Sequence, residues 1–248
     1  MEDTLEARLN AFFDFKMSGM FVCMVAEVLN TSKLEQCRID VKPIVNHEYK
    51  DSTVVEYPII LSVPVQFPSS STSALTFPIN QGDNVLLVFS QKGLDVFKSG
   101  ATSAHDPIDM RSFDKRDAIA IPCVNPFSKS INDPVKRTLL HSVDDMVLTH
   151  NIGLPTECEV RLKPSGKIEL TSALQVEVKS PLLTLTCPSV AITGNLSVAG
   201  TFGVVGVSTF TGASVFTGIS TFNGALVSTT TTTLTGTATY NGLPISTS

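Results

Sequence analysis

The stretch TFTGASVFTGISTFNG, residues 209–224, repeats its pattern every six residues. A glycine ends each repeat, and a phenylalanine stands two places before each glycine. The same spacing extends in both directions, so that glycine fills eight of the nine registered positions from 194 to 242. A period of six fits neither an α-helix nor a plain strand, and it is typical of β-helical coils.

The repeat has two kinds of position, a corner and an interior. Glycine suits the corner because it adopts a positive φ without steric penalty, while an apolar side chain at a fixed offset fills the interior. A disordered Gly/Ser/Thr linker is the alternative, but linkers keep no such register. The predicted corner and interior residues are Gly194, Gly200, Gly206, Gly212, Gly218, Gly224, Gly236, Gly242, Phe210, Phe216, Phe222 and Tyr240.

The six-residue repeat, residues 194–242, carries no charged side chain, since no Asp, Glu, Lys or Arg follows Lys179. A single chain would wind only about three coils, with unpaired strand edges and none of the charges that protect such edges. Three intertwined chains would pair their strands with one another and leave edges only at the tip. The sequence therefore predicts a homotrimeric β-helix needle over residues 166–248.

The composition limits the function of the rest of the chain. The 248 residues have a formal net charge of −5, which argues against a nucleic-acid partner. The five cysteines form no CxxC pair and are odd in number. They are interpreted as small buried hydrophobes of a protein that folds in a reducing cytoplasm, and not as disulfides or a zinc site.

The N-terminal half predicts a helix and then a small barrel. An amphipathic helix with Leu5, Leu9, Phe12 and Phe13 near one face is expected in an arm over residues 1–19. Short β-type runs then follow one another over residues 20–125, and five or six such strands predict an OB-fold-like barrel. Residues 126–165 have more loop character and form a predicted neck. The fold class is all-β. The runs are FVCMVAEV, QCRIDVKPIV, YPIILSVPVQF, ALTFPI, DNVLLVFS and DAIAIP.

Two polar stretches were considered as sites. SAHD, residues 103–106, places Ser, His and Asp in a row, but a catalytic triad is assembled in space and rarely from consecutive residues. HSVDDMVLTH, residues 141–150, offers two His and two Asp, and a polar turn before a strand is the favoured interpretation over an ion site on a trimer axis. The sequence predicts no catalytic residue, no metal site, no cofactor and no enzymatic activity.

The stretch VPVQFPSSSTSALTFPINQGDNVLLVFSQKGLDVF, residues 63–97, resembles the N-terminal barrel domain of the central membrane-piercing spike proteins of contractile phage tails. The later AHDPIDMRSFDKRDAIAIP resembles the segment that closes the barrel in that family, so the likeness covers residues 5–125. The residues that carry the first likeness are Val63, Pro64, Val65, Phe67, Pro68, Phe77, Pro78, Gly82, Asp83, Phe89, Asp95 and Phe97.

The resemblance implies a function and a set of partners. It implies a trimer that is assembled in the host cytoplasm and lies at the tail baseplate tip of the virion. The trimer would bind the tail hub on its N-terminal side, and sheath contraction would drive it through the host outer membrane. Some relatives bind iron with a His-x-His pair near the apex. All four histidines here precede the tail, so that iron site is not expected, and a small tip-capping protein is the favoured alternative.

Two other functions stay open at the level of sequence. A hexapeptide-repeat acyltransferase is also a trimer with a period of six, but it needs an aliphatic residue before each small residue, where this chain has mostly Thr or Asn. A trimeric fibre that binds a host surface glycan would suit the Thr-rich surface, although only Tyr240 could stack on a sugar near the tip.

Overall fold

The computed structural model describes residues 4–49, 52–122, 124–211, 215, 217, 239–240 and 243–244. The chain divides into two compact units, Met1–Lys179 and Ser180–Ser248. The described elements are mostly strands, with few helices, as expected of an all-β protein. The predicted domain limits within these units remain predictions.

The first unit begins with helix α1, Leu5–Ser18, in the stretch where a helix was predicted. The hydroxyl of Thr4 accepts a hydrogen bond from the Ala7 N–H at 3.3 Å, which satisfies a free donor of the first turn. Every residue whose burial is described in this helix is exposed, including Phe12 and Phe13. Leu5, Leu9, Phe12 and Phe13 are therefore not part of the hydrophobic core of the first unit.

A five-stranded antiparallel sheet follows, curled into a barrel-like shape. Its strand order is β5-β2-β1-β6-β7, and a parallel bridge between Val65 and Ala120 brings its two edges together. The Gln66 N–H donates to the carbonyl of Ala120 at 2.8 Å across the same junction. This arrangement fits the expected OB-like barrel. The strands are β1 (Cys23–Asn30), β2 (Arg38–Pro43), β5 (Ile60–Pro64), β6 (Asn84–Phe89) and β7 (Ala118–Pro122).

The barrel encloses the hydrophobic core because alternate residues of each strand point inward. In β6, Val85, Leu87 and Phe89 are buried and the residues between them are not. The connection between β2 and β5 holds a small hairpin of β3 (His47–Glu48) and β4 (Val54–Val55). The connection between β6 and β7 holds the short helix α2 (Asp95–Lys98).

One of the six predicted strand runs, ALTFPI, does not form a strand. Residues 74–79 form an irregular segment instead, with an isolated bridge between Ala74 and Ser69 and with the Leu75 N–H donating to the carbonyl of Pro68 at 2.9 Å. Pro78 has no N–H to contribute to a ladder, which disfavours a strand there. The apolar residues of the run still serve the core, because Ile79 is buried and the ring of Phe77 packs on Phe67 with centroids 5.2 Å apart.

The last part of the first unit is a three-stranded antiparallel sheet, here called the neck sheet. Its order is β10-β9-β8, so that β8 and β10 are its edges. A loop that includes two single turns of 3₁₀-helix, Phe127–Lys129 and Pro134–Lys136, connects the barrel to it. The strands are β8 (Met146–His150), β9 (Cys158–Leu162) and β10 (Ile168–Ser172).

The second unit contains little regular structure in its described residues. Residues 180–211 form no strand, and the only assigned pair is the two-residue ladder of β11 (Thr239–Tyr240) and β12 (Leu243–Pro244). The predicted β-helix is therefore not present in the described residues. Most of the repeat, including Gly212, Gly218, Gly224, Gly236, Gly242, Phe216 and Phe222, lies outside the described residues.

Candidate assembly interface

The neck sheet has its apolar face toward solvent. In its register, Met146 pairs with Leu162, which pairs with Ile168, and two residues along the strands Leu148 pairs with Val160, which pairs with Leu170. These six side chains share one face because side chains alternate along a strand. Met146 is 75% exposed, Ile168 66% and Leu170 64%. A sheet face this apolar is normally covered.

The opposite face of the neck sheet is polar and is the buried one. Glu159 and Arg161 of β9 form an ion pair with each other, and Arg161 also lies 3.6 Å from Asp145. Both residues of β9 are almost completely buried. On the neighbouring strand the hydroxyl of Thr149 accepts a hydrogen bond from Arg137 at 2.7 Å. The chain thus covers the charged face of the sheet with its own connecting segment and leaves the apolar face open.

Glu157 fixes the segment that covers the polar face. Its Oε2 accepts hydrogen bonds from the N–H of Thr138 at 2.7 Å, from the Thr138 hydroxyl at 2.6 Å and from the N–H of Gly153 at 3.0 Å. Burial alone would raise the pKa of Glu157, but these donors outweigh it and hold the pKa below its ordinary value. A buried carboxylate therefore ties the β8–β9 loop to the connection from the barrel.

The exposed apolar face continues past the end of β10. Leu174, Val176 and Val178 keep the even-numbered phase of Ile168 and Leu170, and all three are exposed. The odd-numbered residues between them include Glu169, Thr171, Gln175, Glu177 and Lys179. Apart from Ser172 and Ala173, where β10 ends, this alternation is typical of a strand with one buried face.

The second unit has the same character in its described part. Its exposed apolar residues include Leu196, Val198, Phe202, Val204 and Phe210. Val198, Val204 and Phe210 occupy the predicted interior positions of the repeat, and the corner residues Gly194, Gly200 and Gly206 lie between them. Tyr240 lies in β11. Val198, Val204 and Phe210 are exposed and form no hydrophobic core within the described part of the chain.

The residues of the barrel motif have mainly structural positions. Val63, Val65, Phe67 and Phe89 are buried in the core. Pro64 ends β5 opposite Arg38, the Pro68 carbonyl accepts from the Leu75 N–H, and Pro78 lies within the irregular segment 74–79. Phe97 of α2 is exposed.

Gly82 and Asp83 form the turn that leads into β6. Gly82 has a φ of 88°, which favours glycine, and its N–H donates to the carbonyl of Val28 at 2.9 Å. A carboxylate oxygen of Asp83 accepts from the N–H of Asn80 at 2.7 Å. The turn is thereby fixed to β1, as a structural turn rather than a phosphate-binding loop.

Asp95 belongs to an ion cluster around Arg111 that sequence reasoning did not find. The Arg111 guanidinium pairs with Asp95, with Asp109 at 2.6 Å and with Asp117 at 2.6 Å. Asp117 is almost fully buried and also accepts from the Leu94 N–H at 2.8 Å. Burial would raise the pKa of Asp117, but the bonds from Arg111 and Leu94 outweigh it and lower that pKa. The cluster holds the long β6–β7 connection against the barrel.

The two polar stretches that were considered as sites do not assemble into one. The ring of His105 in SAHD contacts the carbonyl of Ser103 at 2.9 Å in an exposed loop. His141 is buried with its Nε2 2.8 Å from Asn132, while Asp145 faces Arg161 and His150 lies on the apolar face. Within the described residues of one chain, no three metal-ligating side chains come together.

No helix in the described part of the chain combines the length and apolar character needed to cross a membrane. The comparison with curated proteins gave no match. A family comparison did: residues 28–123, less than half of the chain, match the family described as the phage protein Gp138 N-terminal domain. The matched region spans the barrel from within β1 to the end of β7. The barrel is therefore similar to a phage protein domain, which supports a structural component of a phage virion.

Proposed function

We propose that this protein is the central spike of a contractile phage tail baseplate. In this role it acts as a homotrimer that binds the tail hub through its N-terminal side and pierces the host outer membrane with a β-helix needle during contraction. The role is mechanical, without catalysis or a cofactor. The family match over the barrel supports a phage origin, and the distribution of buried apolar residues supports the assembly.

One observation carries the proposal of a trimer. Within the described chain, every buried hydrophobic residue lies between Ala26 and Ala120, in the barrel. The neck sheet and the tail are rich in Leu, Val, Ile and Phe, yet none of those whose burial is described there is buried. Moving one such side chain from water to a packed interior stabilises a protein by about 1.5–3 kcal/mol. We infer that copies of the same chain cover this exposed apolar surface.

Three copies suit the neck sheet because each contributes three strands with a single apolar face. Three such faces turned inward around an axis would form a closed triangle with a hydrophobic interior. The outer edges β8 and β10 of neighbouring copies would then adjoin, which protects edges that a single chain leaves unpaired. Residues 174–178 would lead the same inward face into the needle.

The partners follow from the two ends of this assembly. The hub would bind on the N-terminal side, where α1 presents Leu9, Phe12 and Phe13 to solvent. At the other end, a small tip-capping protein would cover the last strand edges of the needle. The host outer membrane is the target.

The position in the virion tests the function directly. Gold-labelled antibodies against the barrel should label the tip of the baseplate in electron micrographs of phage particles. Particles that lack this chain should assemble tails that contract without delivering DNA. Label along the tail fibres would instead favour a glycan-binding adhesin, and label absent from the virion would reject the proposal.

A pair of neighbouring substitutions tests the neck interface in the full chain. Leu170→Lys places a charge on the exposed apolar face, and we expect light scattering to show that the trimer of the full chain, still held by the repeat, dissociates at a lower temperature than the wild-type trimer. Thr171→Lys adds the same charge to the other face of the same strand and should leave the trimer intact. Leu170 is already exposed in the single chain, so its replacement should leave each barrel folded, which circular dichroism verifies. Equal behaviour of the two variants would remove the neck from the interface.

A further inference from the structure

The apolar face of the neck sheet ends in a row of different chemistry. The register places His150 of β8 directly opposite Cys158 of β9, and Cys158 directly opposite Ser172 of β10. These three side chains share the face of Leu148 and Leu170. An imidazole and a thiol thus stand side by side at one end of a surface that is otherwise made of Met, Leu, Ile and Val.

Neither group has a role within the single chain. Among the described residues, the His150 ring and the Cys158 thiol make no side-chain hydrogen bond, ion pair or ring contact. Residues directly opposite each other on antiparallel strands have Cβ atoms about 4.5–5.5 Å apart, so one ion can be reached from both. Imidazole and thiolate are the ligands that zinc and similar transition metals prefer.

We propose that three copies of this pair bind one divalent transition-metal ion of the Fe²⁺–Zn²⁺ group on the threefold axis of the neck. The inference rests on the proposed homotrimer, because one chain supplies only two ligands. It differs from the sequence expectation of no metal, because only the strand register places His150 opposite Cys158.

The dimensions of a triangular neck agree with such a site. Three strands about 4.8 Å apart make a side roughly 14 Å wide, which puts the axis of a closed triangle roughly 4 Å from the middle of each side. Cys158 belongs to the middle strand and therefore points toward the axis. The cysteine side chain and a metal–sulfur bond of about 2.3 Å together are long enough to reach the axis. Each thiol that binds releases its proton to solvent, and His150 binds as the neutral ring.

The ion has a route to the site and a reason to be there. His150 lines an open cleft between the neck and the barrel, together with Asn84 and Ile131. A polar row left empty inside a hydrophobic neck would be unfavourable, because buried polar groups without partners destabilise a fold. A metal held by all three chains would fix their register where the needle begins.

The metal content of the full-length protein tests the inference. We expect about one Zn²⁺ or Fe²⁺ per three chains by elemental analysis, and less than about a tenth of that in Cys158→Ser and in His150→Ala. Cys187→Ser and His105→Ala are the controls and should keep the ion. After exchange for Co²⁺, a thiolate-to-cobalt absorption band should appear in the near ultraviolet and be absent in Cys158→Ser.

Light scattering on the same samples separates the two proposals. A wild-type trimer without metal, or with metal that survives both substitutions, overturns the metal site and leaves the spike intact. A disulfide through Cys158 in non-reducing gels also overturns it. A wild-type monomer removes both the metal site and the trimer on which it rests. Trimers that form in both variants but unfold at lower temperature support the metal as a stabilising element.

Discussion

At the scale of single residues, Arg111 is a side chain whose loss should destabilise the barrel. It is almost buried and satisfies Asp117, which has about 1% of its surface exposed. Arg111→Ala leaves that carboxylate buried and unpaired, and breaking a buried ion pair in this way destabilises a protein by about 3–5 kcal/mol. We expect a loss of about 3 kcal/mol in the free energy of unfolding, measured by urea titration and near-ultraviolet circular dichroism.

The control for Arg111 is an ion pair of the same type on the surface. Arg116 pairs with Asp114 at 2.9 Å, but its side chain is largely exposed, so water already solvates both charges. Arg116→Ala should change the urea midpoint little. A similar loss in both variants would mean that the Arg111 cluster acts only as another surface pair.

Asp117 also predicts a dependence of stability on pH. Its pKa is lower in the folded protein than the ordinary value of 3.8, so the folded state favours the charged form. The stabilisation is complete above about pH 4 and is lost as the pH falls through the lowered pKa. Asp117→Asn should therefore have a lower free energy of unfolding than the wild type at pH 7. On acidification, its free energy of unfolding should fall less than that of the wild type.

Urea midpoints of both proteins between pH 7 and pH 3 measure this effect. Asp106→Asn, in an exposed loop, provides the control and should follow the wild-type curve. If Asp117→Asn keeps the full acid dependence of the wild type, the loss of stability at low pH arises elsewhere, with Glu157 as the next group to test.

At the scale of elements, the β8–β9 loop shows how closely the neck is packed. Gly153 has a φ of 76°, and a Cβ added there would lie 2.5 Å from the carbonyl oxygen of Lys136. Gly153→Ala should lower the unfolding free energy by about 2–3 kcal/mol, from backbone strain and from this clash. Gly166, in the β9–β10 turn, has a φ of 82° with open space around it.

The comparison of these two glycines isolates the clash. Gly166→Ala should lose only the strain of the left-handed backbone, about 1 kcal/mol. Thermal unfolding of both variants measures the difference. Equal losses would show that the Lys136 carbonyl moves away easily and that Glu157 alone holds the loop.

The elements that sequence predicted are those with a local signal. Five of the six β-type runs became barrel strands, since alternation in runs such as DNVLLVFS reports directly which side chains are buried. ALTFPI is similarly apolar, but Pro78 lacks the N–H that a ladder needs, and the segment forms no strand. The strands β8 and β9 lay in a stretch predicted as loop-rich, because their buried face carries Glu159 and Arg161.

The candidate interface was harder to predict for a related reason. The alternation of Ile168, Leu170 and Leu174 was visible in the sequence, but not which face the chain would cover. The sequence also could not show that His150 and Cys158 are neighbours. They lie eight positions apart, and only the strand register brings them together. The Arg111–Asp117 pair is equally a product of tertiary structure.

At the scale of the whole molecule, the parts of the chain differ in whether their apolar side chains are buried. Among the described residues, the barrel buries its apolar side chains within one chain, whereas the neck and the tail expose theirs. The barrel can therefore fold within one chain. In the proposed trimer, association would complete the neck, and the six-residue repeat would supply a long uncharged surface shared by three chains.

This division predicts the behaviour of a chain truncated after Lys179. Residues 1–179 keep the barrel core, so circular dichroism should show a folded β protein. They lose the repeat, so the trimer should dissociate on dilution and in unheated SDS, whereas the full chain should resist SDS until it is boiled. The neck sheet alone offers few apolar residues per chain, and the repeat supplies the larger shared surface. A truncated chain as resistant as the full one would place the trimer's stability in the barrel and neck. A full chain that runs as a monomer in gentle conditions would contradict the needle itself.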